Sequence, residues 1–110
     1  MINVSILYPF KEGGRFDLDY YLKTHMPLSV EKLRPALKGV SIEQGLVTAG
    51  TDGPPAFIVI CQLRFDSVEA FFDAFSPHAD LLQGDIKNYT DIDPLIQFSE
   101  VKLLESLQKT

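Results

Sequence analysis

At 110 residues the chain has room for one domain, spanning 1–110, and not for two. A fold of that size buries about two thirds of its extended-chain surface, so a modest core forms without a metal or a disulfide framework. Ten Lys and Arg against fifteen Asp and Glu leave a net charge of -5, which argues against a phosphate backbone as partner, because nucleic acid needs a basic face. Apolar residues make up 45% of the chain, with eight Phe, four Tyr and no Trp, a large share for so small a domain, part of which stays exposed unless a partner covers it.

The only cysteine, Cys61, sits in the apolar run Phe57-Ile58-Val59-Ile60-Cys61, where a free thiol packs as a small hydrophobe. A single thiol forms no disulfide within the chain, which fits a reducing, cytoplasmic setting. The N-terminal residues Met1 to Tyr8 lack a basic region and a small-residue cleavage site, and no apolar run approaches the roughly eighteen residues of a membrane span. The expectation is a mildly acidic soluble protein, with no membrane partner.

Ile2, Val4, Ile6 and Tyr8 alternate with Asn3 and Ser5, which predicts a first strand ended by Pro9 and Gly13-Gly14. From Phe16 the period becomes helical: Leu18, Tyr21, Leu22, His25, Leu28, Leu33 and Leu37 form the apolar stripe of one helix. Pro27 removes a backbone donor and disfavours helix at Met26, so a kink or break is expected just after His25. Gly39 is placed to cap the helix, and Val40 to Thr48 alternates as a second strand. The turn-forming run Gly50 to Pro55 separates it from a third strand, Ala56 to Phe65.

Asp66 and Glu69 stand at capping-box spacing at the head of a second helix with the stripe Val68, Phe71, Phe72, Phe75, interrupted by Pro77 before His78, Ala79, Leu81 and Leu82. A polar stretch from Gly84 to Asp93 leads to a last strand, Leu95 to Leu104, with Pro94 at its start. The order is β-α-β-β-α-β, the ferredoxin-like α+β arrangement: a four-stranded antiparallel sheet with the first and third strands central and two helices on one face. The other face, expected to carry Ile58, Ile60, Leu95, Val101 and Leu103, is too apolar for water as a set, and a homodimer packed sheet to sheet covers it.

His25 is the most informative residue. Its place on the helical stripe turns the imidazole toward the sheet, either as a core histidine tied into a helix kink or as a general acid/base in a pocket between helix and sheet. Haem ligation through His25 is a third reading. His78 lies three residues after Phe75 and either faces inward with Phe71 and Phe75 or caps a helix at the surface. Tyr8, Tyr20, Tyr21, Phe71, Phe72, Phe75, Tyr89 and Phe98 are core material first, but buried tyrosine hydroxyls need partners, and Tyr8, Tyr21 and His25 are placed to converge on a small-molecule pocket. No CxxC, HExxH, GxGxxG, GxSxG or P-loop run occurs, and two histidines with one buried cysteine do not make a zinc site, so neither a metal nor a cofactor is expected.

Two stretches resemble the EthD family of dimeric α+β barrel proteins. One is Phe16 to Leu28, with its aromatic, its paired Tyr20-Tyr21 and the run His25-Met26-Pro27-Leu28. The other is Asp85-Ile86-Lys87-Asn88-Tyr89-Thr90 followed by Pro94-Leu95-Ile96-Gln97-Phe98-Ser99-Glu100-Val101. The resemblance implies a ferredoxin-like protomer that pairs sheet to sheet, with a cavity under the helices for a small apolar or aromatic molecule. The superfamily includes cofactor-independent oxygenases, cyclases, isomerases, dehydratases and haem-handling enzymes. By the same resemblance His25 is the acid/base, Tyr20 and Tyr21 are its neighbours, and Asp85, Asn88 and Tyr89 form a second motif.

The leading expectation is a cofactor-independent enzyme acting on a small apolar or aromatic metabolite through His25 and Tyr21, in a pocket that also draws on Tyr8, Tyr20, Phe71, Phe75, His78, Asp85 and Tyr89. The alternative is a non-catalytic module that binds or delivers such a metabolite in an oxidative pathway. RNA-recognition modules share the topology, but the third strand here carries Phe57 to Cys61 with only Arg64 basic, and that reading is set aside.

Overall fold

The computed structural model describes residues 1–107. Four alternating segments become strands: β1 (Ile2–Pro9), β2 (Gly39–Gln44), β3 (Phe57–Phe65) and β4 (Leu95–Glu100). They lie in the order β2-β3-β1-β4 with every neighbouring pair antiparallel, so β1 and β3 are central. The helical segments are α1 (Leu18–Tyr20) and α2 (Met26–Leu33), joined by a π-helical turn at Tyr21–His25, and α3 (Val68–Phe75) and α4 (Ala79–Gly84), joined by a 3-10 turn at Ser76–His78. A second 3-10 turn, Ile86–Asn88, precedes β4. The result is the ferredoxin-like α+β fold, with the helices on one face of the sheet.

The pleat sorts the side chains. Val4, Tyr8, Val59, Cys61, Leu63 and Phe65 point toward the helices and are buried, and Phe65 meets Phe71 of α3 edge to face at 5.3 Å between ring centres. On the opposite face the register sets Leu7 between Ile60 and Leu95, with Ile58 following on β3. The rest of that face is polar, with Ser5 between Gln62 and Gln97 and Asn3 between Arg64 and Ser99. The apolar patch therefore occupies one end of the open face. Val101 and Leu103 fall beyond β4, and Leu103 is exposed.

Several boundaries differ from the sequence expectation, each for a local reason. The first helix does not break after His25. It widens by one residue before the proline, the Met26 N–H reaching the Tyr21 carbonyl, and this π turn accommodates a ring that offers no donor and crowds the preceding turn. The helix ends at Leu33, because Arg34 precedes Pro35 and takes an extended conformation, so Gly39 opens β2 instead of capping the helix. β2 stops at Gln44. Gly45 still donates to the Ile58 carbonyl at 2.8 Å but lies so close to the Phe57 carbonyl that a side chain there would collide with it, and the chain then turns away.

β4 stops at Glu100 because its partner β1 starts at Ile2, the residue opposite Glu100, which leaves only one further bond, from Val101 N–H to the Met1 carbonyl. Ser67, not Asp66, caps α3, its side chain accepting the Ala70 N–H. No helix among the described residues is long and apolar enough to cross a membrane.

Candidate functional site

The π turn is the local feature from which the site is built. It places Tyr21 and His25 on the sheet-facing side, both buried, with their rings stacked at 5.5 Å and 14°. The Ser29 hydroxyl donates to the His25 carbonyl at 2.9 Å, giving that group a partner next to Pro27. The imidazole faces a cavity of about 330 Å³ between the helices and the sheet. Its walls are overwhelmingly apolar, with Val4, Ile6, Leu63, Phe71, Phe75 and Leu82 among them, and the polar groups along it include Tyr8, Tyr21, His25, Ser29, Cys61 and Tyr89. Phe72, Gln83, Ile96 and Phe98 line it while remaining exposed, and mark its opening beside β4.

His25 is held from behind by Asp85. The imidazole Nδ1 lies 2.8 Å from Asp85 Oδ2, with the two side chains only 10% and 13% exposed. The other carboxylate oxygen accepts the Tyr20 hydroxyl at 2.7 Å and the Asn88 amide at 2.9 Å. Burial pushes the Asp85 carboxyl up, but hydrogen bonds from Tyr20, Asn88 and His25 outweigh burial and hold it below the usual carboxylate range. An ionised carboxylate only accepts, so the proton of the neutral imidazole sits on Nδ1 and Nε2 is the free base. Nε2 makes no hydrogen bond to a described residue and is not sealed off.

The segment that delivers Asp85 is clamped to the entrance of the first helix. Phe16 and Thr90 pair as an isolated antiparallel bridge, Asp17 N–H donates to the Tyr89 carbonyl at 2.7 Å, and the Thr90 hydroxyl donates to the Arg15 carbonyl at 2.6 Å. Asp91 accepts the Arg15 N–H at 2.8 Å, and that bond holds its carboxyl below the usual range. The polar run 85–91 is therefore an ordered strap. Asp85 reaches His25 and Tyr89 reaches Tyr8, their hydroxyls sharing a hydrogen bond of 2.7 Å.

Burial sets the state of the remaining groups. It pushes the Tyr8 hydroxyl up to about 12 and the Cys61 thiol up to about 11. Tyr21 and Tyr89 are also pushed up, by burial first and then by neighbours that include Cys61 and Tyr8. Tyr20 is raised by its bond to Asp85. At neutral pH the cavity thus holds neutral donors and one protonated thiol, which is no nucleophile, while the negative charge lies behind the imidazole.

Of the residues singled out from the sequence, Tyr8, Tyr21, His25, Phe71, Phe75 and Tyr89 line the cavity. Tyr20 and Asp85 stand behind His25 and do not line it. The placement of His78 in the pocket is corrected: it lies half-buried in the 3-10 turn at Ser76–His78, outside the cavity lining, because Pro77 resets the helical period that carried Phe71 and Phe75 inward. Ile6, Ile96, Phe98 and Ser29 belong to the lining and were not foreseen. The alternation of β1 and β4 carried a signal for the first three; Ser29 had none. Among the described residues no group of three or more His, Cys, Asp or Glu is placed to hold a metal ion.

A ferredoxin-like domain with a histidine–carboxylate pair at an apolar cavity is the class that fold and site define. The chain belongs to the EthD family: residues 16–93 match the EthD domain model. It is similar to the crystal structure of an EthD-like protein from Ralstonia eutropha, at 42% identity and a TM-score of 0.91, covering 96% of this chain and 95% of that one. An ethyl tert-butyl ether D (EthD) family protein from Bacillus halodurans is similar at 19% identity and a TM-score of 0.71, over 92% of this chain and 98% of that one. HapK from Hahella chejuensis shares the fold at 10% identity and a TM-score of 0.58, over 98% and 100%. No curated protein sequence matches.

Asp85→Ala is expected to destabilise the protein by about 2 kcal/mol at pH 7, since it removes three hydrogen bonds to a charged group. The sign of the pH dependence follows from the lowered carboxyl. Its contribution is full above the ordinary value of 3.8 and is lost as the pH falls below it. Urea unfolding of both proteins at pH 7 and pH 3 checks this: the gap narrows at the lower pH, and an equal or wider gap contradicts the assignment.

Proposed function

We propose that the protein is a cofactor-independent acid/base enzyme acting on a small apolar or aromatic metabolite, with Nε2 of His25 as the group that takes and returns a proton. The observation that carries this reading is the hydrogen bond from Nδ1 to Asp85, which fixes the tautomer and leaves a basic nitrogen facing an apolar cavity of about 330 Å³. When Nε2 takes a proton from a bound molecule, the positive charge that forms lies against the Asp85 carboxylate, so the intermediate is stabilised where it arises. Tyr20 and Asn88 hold the carboxylate in place. Tyr21, stacked on the imidazole, orients both the ring and the ligand.

Proton exchange tests this even while the natural substrate is unidentified. A panel of small aromatic and alicyclic compounds with activated C–H bonds is incubated with the protein in D2O and followed by NMR. At least one binder is expected to exchange faster with protein than with buffer, and His25→Asn lowers that rate by about 10²-fold or more. Ligands that bind, raise the melting temperature and are recovered unexchanged support the second reading instead, a module that binds or delivers the metabolite without reacting it.

We also propose that the working unit is a homodimer packed through the open sheet face. The patch of Leu7, Ile58, Ile60 and Leu95 lies on the side that this chain's helices do not cover, and a two-fold axis brings such a patch onto itself. Light scattering is expected to give the mass of two chains, and Ile60→Glu, with its circular dichroism unchanged, the mass of one. A native protein that runs as one chain contradicts the assembly.

A further inference from the structure

The Tyr8 and Tyr89 hydroxyls have no part in the proton transfer just described, yet they are placed with care. They meet at 2.7 Å on the cavity wall, and the Tyr89 ring lies 4.7 Å from the imidazole. Two hydroxyls joined by one hydrogen bond hold two protons, and the mutual bond engages one of them. Tyr8 also meets the Tyr21 hydroxyl, and Tyr21 the Cys61 thiol, so four protons share three contacts and one is left without an acceptor among them. Tyr21, whose ring is 6.0 Å from that of Tyr8 and 4.9 Å from that of Tyr89, adds a third hydroxyl to the same wall. A row of neutral donors in an apolar cavity suits an oxygen that carries negative charge, and it suits a hydrocarbon poorly, because an unmet buried donor is costly.

We propose that the Tyr8–Tyr89 pair is an oxyanion site and that the molecule this cavity takes is a small conjugated carbonyl compound with an abstractable C–H beside the carbonyl. The proposal deepens the reading of His25 as proton carrier and rests on it for the fate of the proton. Nε2 takes the proton from the carbon next to the carbonyl. The C–H electron pair becomes the new C=C bond, and the carbonyl π pair moves onto oxygen, which accepts the free tyrosine proton as a hydrogen bond. The protonated imidazole, paired with Asp85, then returns the proton to the same carbon or to a conjugated one. The net change is exchange or isomerisation, with no oxidant or reductant.

Burial keeps both tyrosines protonated well above neutral pH, so the one free hydroxyl proton is shared with the enolate and not lost to it. Tyr89 then acts as donor to the Tyr8 oxygen, and that bond strengthens the hydrogen bond that Tyr8 offers the ligand.

The probe is 2-naphthol, a stable mimic of an enolate oxygen on a flat apolar body, compared with naphthalene, which lacks the oxygen. The wild-type protein is expected to bind the naphthol about tenfold more tightly than naphthalene, by fluorescence titration at pH 7, and substituted naphthols more tightly as they become more acidic. Tyr8→Phe, and the double variant Tyr8→Phe/Tyr89→Phe that leaves no hydroxyl of the pair behind, bring the two affinities together while naphthalene binding and the circular dichroism spectrum stay as they were. His25→Asn keeps the preference for the naphthol. Equal binding of the two probes by the wild type, a preference that survives the double variant, or no binding of any member of the series up to its solubility overturns the oxyanion site. A naphthol preference lost with the tyrosines, in a protein that exchanges no C–H bond, upholds the oxyanion site and removes the proton-transfer reading instead.

Discussion

The hydrogen bond between Asp85 and His25 is the constraint around which the site is organised. It joins residues sixty positions apart, and each partner is fixed by its own local device. The histidine is turned inward by a π turn that Pro27 makes favourable. The carboxylate is presented by a strap tied to the helix entrance through Arg15, Asp17, Thr90 and Asp91. With its two oxygens engaged by Tyr20, Asn88 and His25, Asp85 leaves the imidazole one orientation and one tautomer. A loose histidine in the same cavity would rotate and swap its donor and acceptor; this one presents a base.

The electrostatics divide the site in two. The charge stays behind the imidazole, on a carboxylate held ionised by three donors, while the cavity itself is lined by tyrosines and a thiol that burial keeps protonated. For the proton transfer proposed above that separation matters, because an anion placed in the cavity would repel negative charge developing on a bound molecule, whereas neutral donors would attract it. Ring packing supports the arrangement. Tyr8, Phe16, Tyr21 and Tyr89 meet at tilted or edge-to-face angles, so each hydroxyl is carried on a rigid neighbour.

The fold was legible because strand alternation and helical period are local properties. Ile2 to Tyr8 and Phe57 to Phe65 read as strands from their own residues, and the element order then determined the sheet. Boundaries were less legible, since β4 ends where its partner runs out and β2 where Gly45 approaches the Phe57 carbonyl, both of them tertiary facts. His25 was visible as a polar residue on an apolar stripe. Asp85 was not visible from composition or period, because a carboxylate in a polar stretch looks solvated; only the resemblance of the run Asp85 to Thr90 to a family pattern marked it. The structure supplies the physical content of that run: Asp85 holds His25, Asn88 holds Asp85, Tyr89 meets Tyr8, and Thr90 ties the strap down. His78 misled because a period read across Pro77 does not survive the 3-10 turn there.

The chemistry proposed for the cavity depends on Asp85 leaving Nε2 of His25 as an available base facing it. Nitrogen-15 NMR of the histidine ring tests it directly, through the long-range couplings that distinguish the two nitrogens. Neutral His25 is expected to carry its proton on Nδ1 and to leave Nε2 bare, with the preference lost in Asp85→Ala. A neutral His25 that carries its proton on Nε2 would contradict it.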